Sequence, residues 1–261
     1  MATTVQAERA ETWPLAQRAV TALARPGGAE MTERVIEGLG LQEGDRVVEL
    51  APGFGLTGAI VLGRGPRTWT AVDPDPLAVE HLAALAAPAG REAVVAPVDE
   101  TGLPEASATV VMADALLTVL DDGGRRAVIA EAVRLLRAGG RVAFHDLAPG
   151  PALDGEARAD LAACGIRPLT TDELRALVED AGLVVLGTLE GALRLPAQRD
   201  LMREAGPRLA LRITRELALK GGLRQASLSA RQALERRELS LRSAIVVAEK
   251  PLVLGFRRPR P

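Results

Sequence analysis

The chain is predicted to fold as an α/β domain, a seven-stranded, mostly parallel Rossmann-like sheet with helices on both faces and a helical insert before its last strand. Three observations predict this. Short runs rich in β-branched residues alternate with helical patterns from residue 46 to residue 191, the signature of a parallel sheet covered on both sides. A glycine-spaced turn, "ELAPGFGLTG", follows the first of these runs, as where a strand delivers its carboxyl end to a helix N-terminus. A last apolar run, "SAIVVAEKPLVL" (243–254), is set off by roughly 45 residues of Arg-rich helical pattern, which is long for a simple connection.

Each element follows in order. An N-terminal helical region, about 14 to 40 and closing with "GLGLQEGD", precedes the first strand, "RVVELA" (46–51). "LTGAIVLGR" then reads as a helix, "RTWTAVD" (67–73) as the second strand, and "PLAVEHLAALAA" (76–87) as a helix with Pro76 at its permitted first turn. Three further strands are "EAVVAPVD" (92–99), "ATVVMAD" (108–114) and "RVAFHDL" (141–147). Between the last two, Val128, Ile129, Ala132, Leu135 and Leu136 keep helical spacing, and Gly139-Gly140 is expected to end that helix. "TTDELRALVEDAGL" starts a helix with a Thr cap and an acidic first turn, and "LVVLGTLEG" (183–191) is the sixth strand. The expected units are residues 1–40, helical; 41–195, the core; 196–242, a helical lid; and 243–261, the final strand and tail.

A length of 261 residues with 48% hydrophobic content fits one domain with an elaboration. The start, "MATTVQAERAETWPLAQRAV", has no basic segment followed by an apolar run, so no signal peptide is expected. No window approaches ~18 uninterrupted apolar residues, so no membrane span is expected either. The single Cys164 makes no internal disulfide and no Cys/His cluster offers a metal site; a cytoplasmic protein without metal is the expectation. Residues 194–261 hold 16 Arg/Lys against 6 Asp/Glu. Basic surface of this kind reads as nucleic-acid binding when aromatic residues accompany it. With no Tyr, two Trp and three Phe, no nucleic-acid partner is expected, and the arginines read as solvated, Glu-paired helix faces.

Gly53, Gly55 and Gly58 have G-x-G-x-x-G spacing, and Asp73 lies twenty residues beyond the first of them. Both features suit a dinucleotide, and neither discriminates it from another nucleoside cofactor. Glu49 does. An ionised carboxylate in a buried strand costs several kcal/mol unless paired, and a cofactor with a cationic end offsets that cost. S-adenosyl-L-methionine, with its ammonium and sulfonium, is such a cofactor: Glu49 faces its ammonium, Asp73 its ribose hydroxyls, and Asp99, just past the third strand, its adenine amino group. Each acid also has a structural reading: a salt bridge for Glu49, a helix cap for Asp73, a chain turn for Asp99. One ligand accounts for all three together.

These segments resemble the class I S-adenosylmethionine-dependent methyltransferases, particularly their small-molecule branch. "VVELAPGFG" is similar to the family's first motif, "AVDPDP" to its acidic-tipped second strand, "PVDETGLP" to its adenine-side motif, and "LLRAGGRVAFHDL" to the segment entering the fifth strand. The likeness spans about residues 40–190, and the final strand fits the family's reversed, antiparallel seventh strand. The resemblance implies S-adenosyl-L-methionine as cofactor, held by Glu49, Ala51, Pro52, Gly53, Phe54, Gly55, Asp73, Pro74, Val98 and Asp99. Ala51 stands where the family has a glycine, which a negative φ would allow.

Methyl transfer needs positioning and desolvation more than a nucleophilic side chain, while a hydroxyl or carbon acceptor still has a proton to lose. His145, near the carboxyl end of the fifth strand, is the candidate base, with substrate orientation or a structural hydrogen bond as its other roles; Asp146 faces the opposite way in a regular strand. Asp114, ending the fourth strand, is the second catalytic candidate, or a cap for the next turn. His81 is expected to face solvent. The segment after Asp114 lacks the Asn/Asp-Pro-Pro-aromatic sequence of amino-methylating members that act on adenine or glutamine. The implied activity is O- or C-methylation of a small organic acceptor. In the insert, Leu209, Leu211, Ile213 and Leu217 form a stripe suited to a lid over an apolar acceptor, to packing, or to a homodimer contact. An NAD(P)-dependent oxidoreductase and a non-catalytic nucleoside-binding module are the alternatives.

Overall fold

The computed structural model describes residues 26–195, 211, 215 and 221–252. Its strands are β1 (Arg46–Leu50), β2 (Thr68–Asp73), β3 (Arg91–Val95), β4 (Ala108–Asp114), β5 (Leu136–Pro149), β6 (Val184–Ala192) and β7 (Leu241–Glu249). Helices are α1 (Gly28–Leu39), α2 (Leu56–Gly63), α3 (Pro76–Ala86), α4 (Asp122–Leu135), α5 (Gly155–Ala163), α6 (Thr171–Asp180) and α7 (Gly221–Arg237). The part of the expected N-terminal helix before residue 26, and Leu209, Ile213 and Leu217, lie outside the described residues.

The strands form one sheet in the order β3-β2-β1-β4-β5-β7-β6. β3, β2, β1, β4 and β5 are parallel neighbours, and β7 runs antiparallel between β5 and β6, as expected. The strand order reverses between β1 and β4. That switch point opens a crevice beyond the carboxyl ends of the two strands, where ligands bind in doubly wound sheets.

Alternation along the strands sends successive side chains to opposite faces. Val48, Leu50, Val111, Ala113, Val142, Phe144 and Val246 pack under α4 and α6. Val47, Trp69, Ala71, Val110, Met112, Ala143, Ile245 and Val247 pack under α1, α2 and α3, with Met31, Val35, Ile36 and Leu39 giving α1 one apolar side. A third cluster sits over the carboxyl end of β5: Leu147 meets Leu153, Ala157 and Leu161 around α5 and Ala230, Ala233 and Leu234 of α7. Among the described residues, no helix is long and apolar enough to cross a membrane.

Local chemistry sets the element ends. Asp75 caps α3 by accepting from the Leu77 N–H, and Thr170 and Glu173 form a reciprocal capping box at α6. Three boundaries differ from the sequence expectation. β3 stops at Val95, before a turn closed by the Glu100 N–H on the Pro97 carbonyl, so Asp99 stands in the turn. α4 ends at Leu135, not at Gly139-Gly140: Leu136 is already extended, and Lys250 Nζ donates to the Val133 and Leu136 carbonyls at 2.8 Å each, capping the helix end with a cation. The two glycines sit within β5, beside the register shift against β4; a Cβ on Gly140 would come within 2.9 Å of the Arg137 carbonyl. α5 was not expected, because its alanine-rich "GEARADLAA" has no strong apolar period; Asp154 starts it by accepting from the Ala157 N–H.

Candidate active site

The glycine turn occupies the crevice between β1 and α2. Its first residue corrects an expectation: Ala51 has φ +52, not a negative φ. A non-glycine residue there carries strain of order 1–3 kcal/mol. Gly53 (φ +56) and Gly55 (φ +76) take left-handed conformations at no such cost. A Cβ on Gly55 would lie 2.5 Å from Leu82 Cδ2, so the turn sits directly on α3. Pro52 and Phe54 are half-buried, and Pro74 is buried.

Asp73, at the tip of β2, fixes this turn. Its Oδ2 accepts from the Gly53 N–H at 3.0 Å and its Oδ1 from the Asp75 N–H at 2.8 Å. It thus joins the glycine turn to the start of α3, while Asp75 performs the capping that the sequence left open for Asp73.

Glu49 is only 1% exposed and accepts from the Trp69 indole N–H at 2.9 Å. Val98 is buried in the core, and the adjacent Asp99 is half-buried in its turn. That turn is anchored from below by Glu131 of α4, which receives the Thr101 N–H at 2.9 Å, the Thr101 hydroxyl at 2.5 Å and Arg134 at 2.7 Å. Burial pushes the Glu131 carboxyl up, but the bonds from Arg134 and Thr101 outweigh it and hold the group below the ordinary carboxylate range. Sequence reasoning missed this network, which no motif marks.

Asp114, the last residue of β4, and His145, four residues before the end of β5, are cross-strand neighbours. His145 Nδ1 lies 3.1 Å from Asp114 Oδ1, and Nε2 is 2.7 Å from the Ser243 hydroxyl on β7. The second Asp114 oxygen accepts from the Thr57 hydroxyl of α2 at 3.0 Å. The His145 side chain is 1% exposed and that of Asp114 15%, so in this polar row Asp114 stands toward the crevice and the imidazole behind it. Ser243 and Thr57 were not singled out from sequence.

Asp146 faces away from His145, as the strand period requires. Its carboxylate accepts from the N–H groups of Leu117 (2.7 Å), Thr118 (3.0 Å) and Leu147 (3.1 Å). Burial raises it to about 7, against the downward pull of those bonds and of His145. Arg125 completes the fixation of the segment after β4: its Nε donates to the Leu117 carbonyl at 3.0 Å. His81 corrects a second expectation. It is 9% exposed, bonded through Nδ1 to the Leu77 carbonyl and set edge-on to Phe54 with ring centroids 5.3 Å apart.

The sheet order, the glycine turn at the switch point and the carboxylates around it define the class I S-adenosylmethionine-dependent methyltransferase fold. Residues 47–140 match the family described as a methyltransferase domain. Solved structures of the same fold include the [4+2]-cyclase SpnF, 18% identical with a TM-score of 0.65, covering 85% of this chain and 80% of that one. The geranyl diphosphate C-methyltransferase of Streptomyces coelicolor A3(2) is 16% identical with a TM-score of 0.57, over 85% and 79% of the two chains. The Haemonchus contortus phospholethanolamine N-methyltransferase 2 is 16% identical with a TM-score of 0.64, over 90% of this chain and 57% of that one. No curated protein sequence matches the chain.

Proposed function

We propose that this protein is an S-adenosyl-L-methionine-dependent methyltransferase acting at oxygen or carbon of a small organic molecule. One observation carries the reading: at the switch point of a methyltransferase domain, Asp73 holds the Gly53 N–H and thereby sets a left-handed glycine turn beside the crevice. The carboxylates around the crevice suit the cofactor's polar groups. In this reading Asp73 faces the ribose hydroxyls and Asp99 the adenine amino group, and Pro74 and Phe54 supply apolar surface near the nucleoside. When bound, the cofactor supplies an electrophilic methyl group. The chain's own task is then to align the acceptor, exclude water and receive a proton where the acceptor must lose one. Asp114 stands toward the crevice and can take that proton; the enclosed imidazole of His145 acts through it.

The small-molecule acceptor is supported by the neighbours, whose names include a terpenoid diphosphate and a phosphorylated amine as what they methylate. The insert of residues 196–242 is read as a lid. Its described helix α7 packs on α5 over the end of β5, and Arg237 pairs with Asp160 at 2.8 Å. The reversed β7 speaks against a nicotinamide-dependent oxidoreductase. A second reading, a reaction other than methyl transfer on the same fold, is favoured by the likeness to a [4+2]-cyclase. Calorimetry tests the proposal: S-adenosylmethionine and its demethylated product should bind and NAD should not. Transfer of labelled methyl to an acceptor separates the methyltransferase from the second reading.

A further inference from the structure

Between β3 and β4, over residues 96–107, the chain has neither helix nor strand. Ala96, Pro97 and Val98 are buried, Asp99 is half-buried, Glu100 is exposed and Thr101 is buried again. The backbone therefore leaves the core for two residues, and the first of them is Asp99. Whatever fixes the two ends of this excursion fixes the carboxylate at its top.

The upstream end is held by the sheet: the Ala96 N–H donates to the Asp73 carbonyl at 3.3 Å, and Val98 lies in the apolar core. The downstream end is held by α4. Glu131 Oε1 accepts from the Thr101 N–H at 2.9 Å and from its hydroxyl at 2.5 Å, and that hydroxyl accepts in turn from the Leu103 N–H at 3.2 Å. Arg134 bonds both Glu131 oxygens and the Leu103 carbonyl, each at 2.7 Å, and its own carbonyl receives the Ala106 N–H at 3.0 Å. The Glu131 side chain is 6% exposed and that of Arg134 37%, so the carboxylate is enclosed and the guanidinium covers it. A buried ionised group is costly unless its bonds are kept, and keeping them gives the Asp99 turn one position.

That position matters because Asp99 is read as recognising a single amino group. Such a hydrogen bond weakens steeply once donor and acceptor are more than about 3.2 Å apart or poorly aligned. A turn free to shift would lose the discrimination and still cover the purine.

We propose that Glu131 is a positioning residue for base selectivity: by holding Thr101 it keeps Asp99 where the carboxylate accepts from the 6-amino group of the cofactor's purine, and so selects adenosyl over inosyl ligands. The assignment rests on Asp99 as the acceptor of that amino group and deepens this reading. S-adenosylhomocysteine and S-inosylhomocysteine differ at the purine 6-position, amino in one and oxo in the other, so calorimetric titration of both separates selectivity from a merely structural role. The native protein should prefer the adenosyl compound about tenfold or more, since the oxo group offers no donor to an ionised acceptor. In Glu131→Gln the amide NH2 must face either the Thr101 donors or Arg134. That variant should weaken the adenosyl ligand about fivefold or more and leave the inosyl ligand within about twofold of the native protein. Thr101→Val, which removes the hydroxyl, should shift the preference the same way, and Thr101→Ser, which keeps it, should retain the native preference. If Glu131→Gln does not fold, Thr101→Val decides alone. An undiminished preference, with both ligands weakened equally or not at all, overturns the inference, while the Asp99 reading stands if Asp99→Ala erases the preference. A preference that survives Asp99→Ala, or a native protein without one, overturns both. A native protein that binds neither compound overturns the methyltransferase reading as well.

Discussion

Trp69 donates its indole N–H to Glu49 across 2.9 Å, and the pair fits beneath α2 because residue 58 has no side chain: a Cβ there would lie 2.7 Å from Trp69 Cζ2 and 2.9 Å from Glu49 Oε2. The third glycine of the turn thus makes room for a buried acid and its donor.

Gly58→Ala should accordingly destabilise the protein by roughly 1–3 kcal/mol, because ring and carboxylate cannot both stay in place. Urea unfolding followed by tryptophan fluorescence measures this, and an unchanged midpoint would refute the packing argument. Trp69→Phe, which removes the indole donor from a buried carboxylate and also the core fluorophore, should cost about 1–3 kcal/mol, read by urea unfolding followed by circular dichroism.

Ala51 at φ +52 makes a prediction of opposite sign. Ala51→Gly relieves roughly 1–2 kcal/mol of left-handed strain and forfeits part of it, about 0.4–1 kcal/mol, to the greater freedom of the unfolded chain. A small rise in melting temperature is expected. Ala51→Val, with a stiff branched side chain, should lower it clearly; a Val variant as stable as the native protein would rule out the strain.

Stability should depend on pH in two directions. Asp146 titrates near 7 in the folded protein against an ordinary value of 3.8, so the native state retains a proton that the unfolded chain releases between those values. Stability therefore falls as pH rises from about 4 to about 7. Glu131 is held below its ordinary 4.5, and its contribution is present above that value and lost as acid protonates it in the folded state. The unfolding free energy should peak in mildly acidic solution, and Asp146→Asn should flatten the neutral limb. A native profile with no decline between pH 5 and 8, read by urea titration at roughly one-unit steps, would contradict the raised carboxyl.

Asp73→Ala should weaken S-adenosylhomocysteine binding by about 1–3 kcal/mol, since the variant loses an ionised acceptor and the anchor of the Gly53 N–H. Calorimetry reads the loss directly. Native affinity would remove Asp73 from the binding site.

What the sequence makes legible is what lies close together along the chain. Strand runs, the glycine turn, the Thr170 cap and the acids Glu49, Asp73 and Asp114 are each carried by neighbouring residue types, and the structure places them in the expected elements, whereas Asp99 falls in the turn after β3. Partners brought together across strands leave no such trace. Trp69 meets Glu49 and Gly53 meets Asp73 from twenty residues away, and Ser243 meets His145 from 98. A serine in an apolar run has no pattern that marks it as a hydrogen-bond partner. The sign of φ at Ala51 is likewise a property of the turn as a whole, and the contact of Phe54 with the buried His81 joins that turn to α3.

The position of β7 between β5 and β6 also orders events on the ribosome. Until residues 241–249 emerge, β5 has an unpaired edge and β6 has no neighbour, a state open to mispairing with other nascent chains. The imidazole of His145 acquires its serine only when β7 threads into the gap, so the polar row behind the crevice is completed only after residues 241–249 have been made.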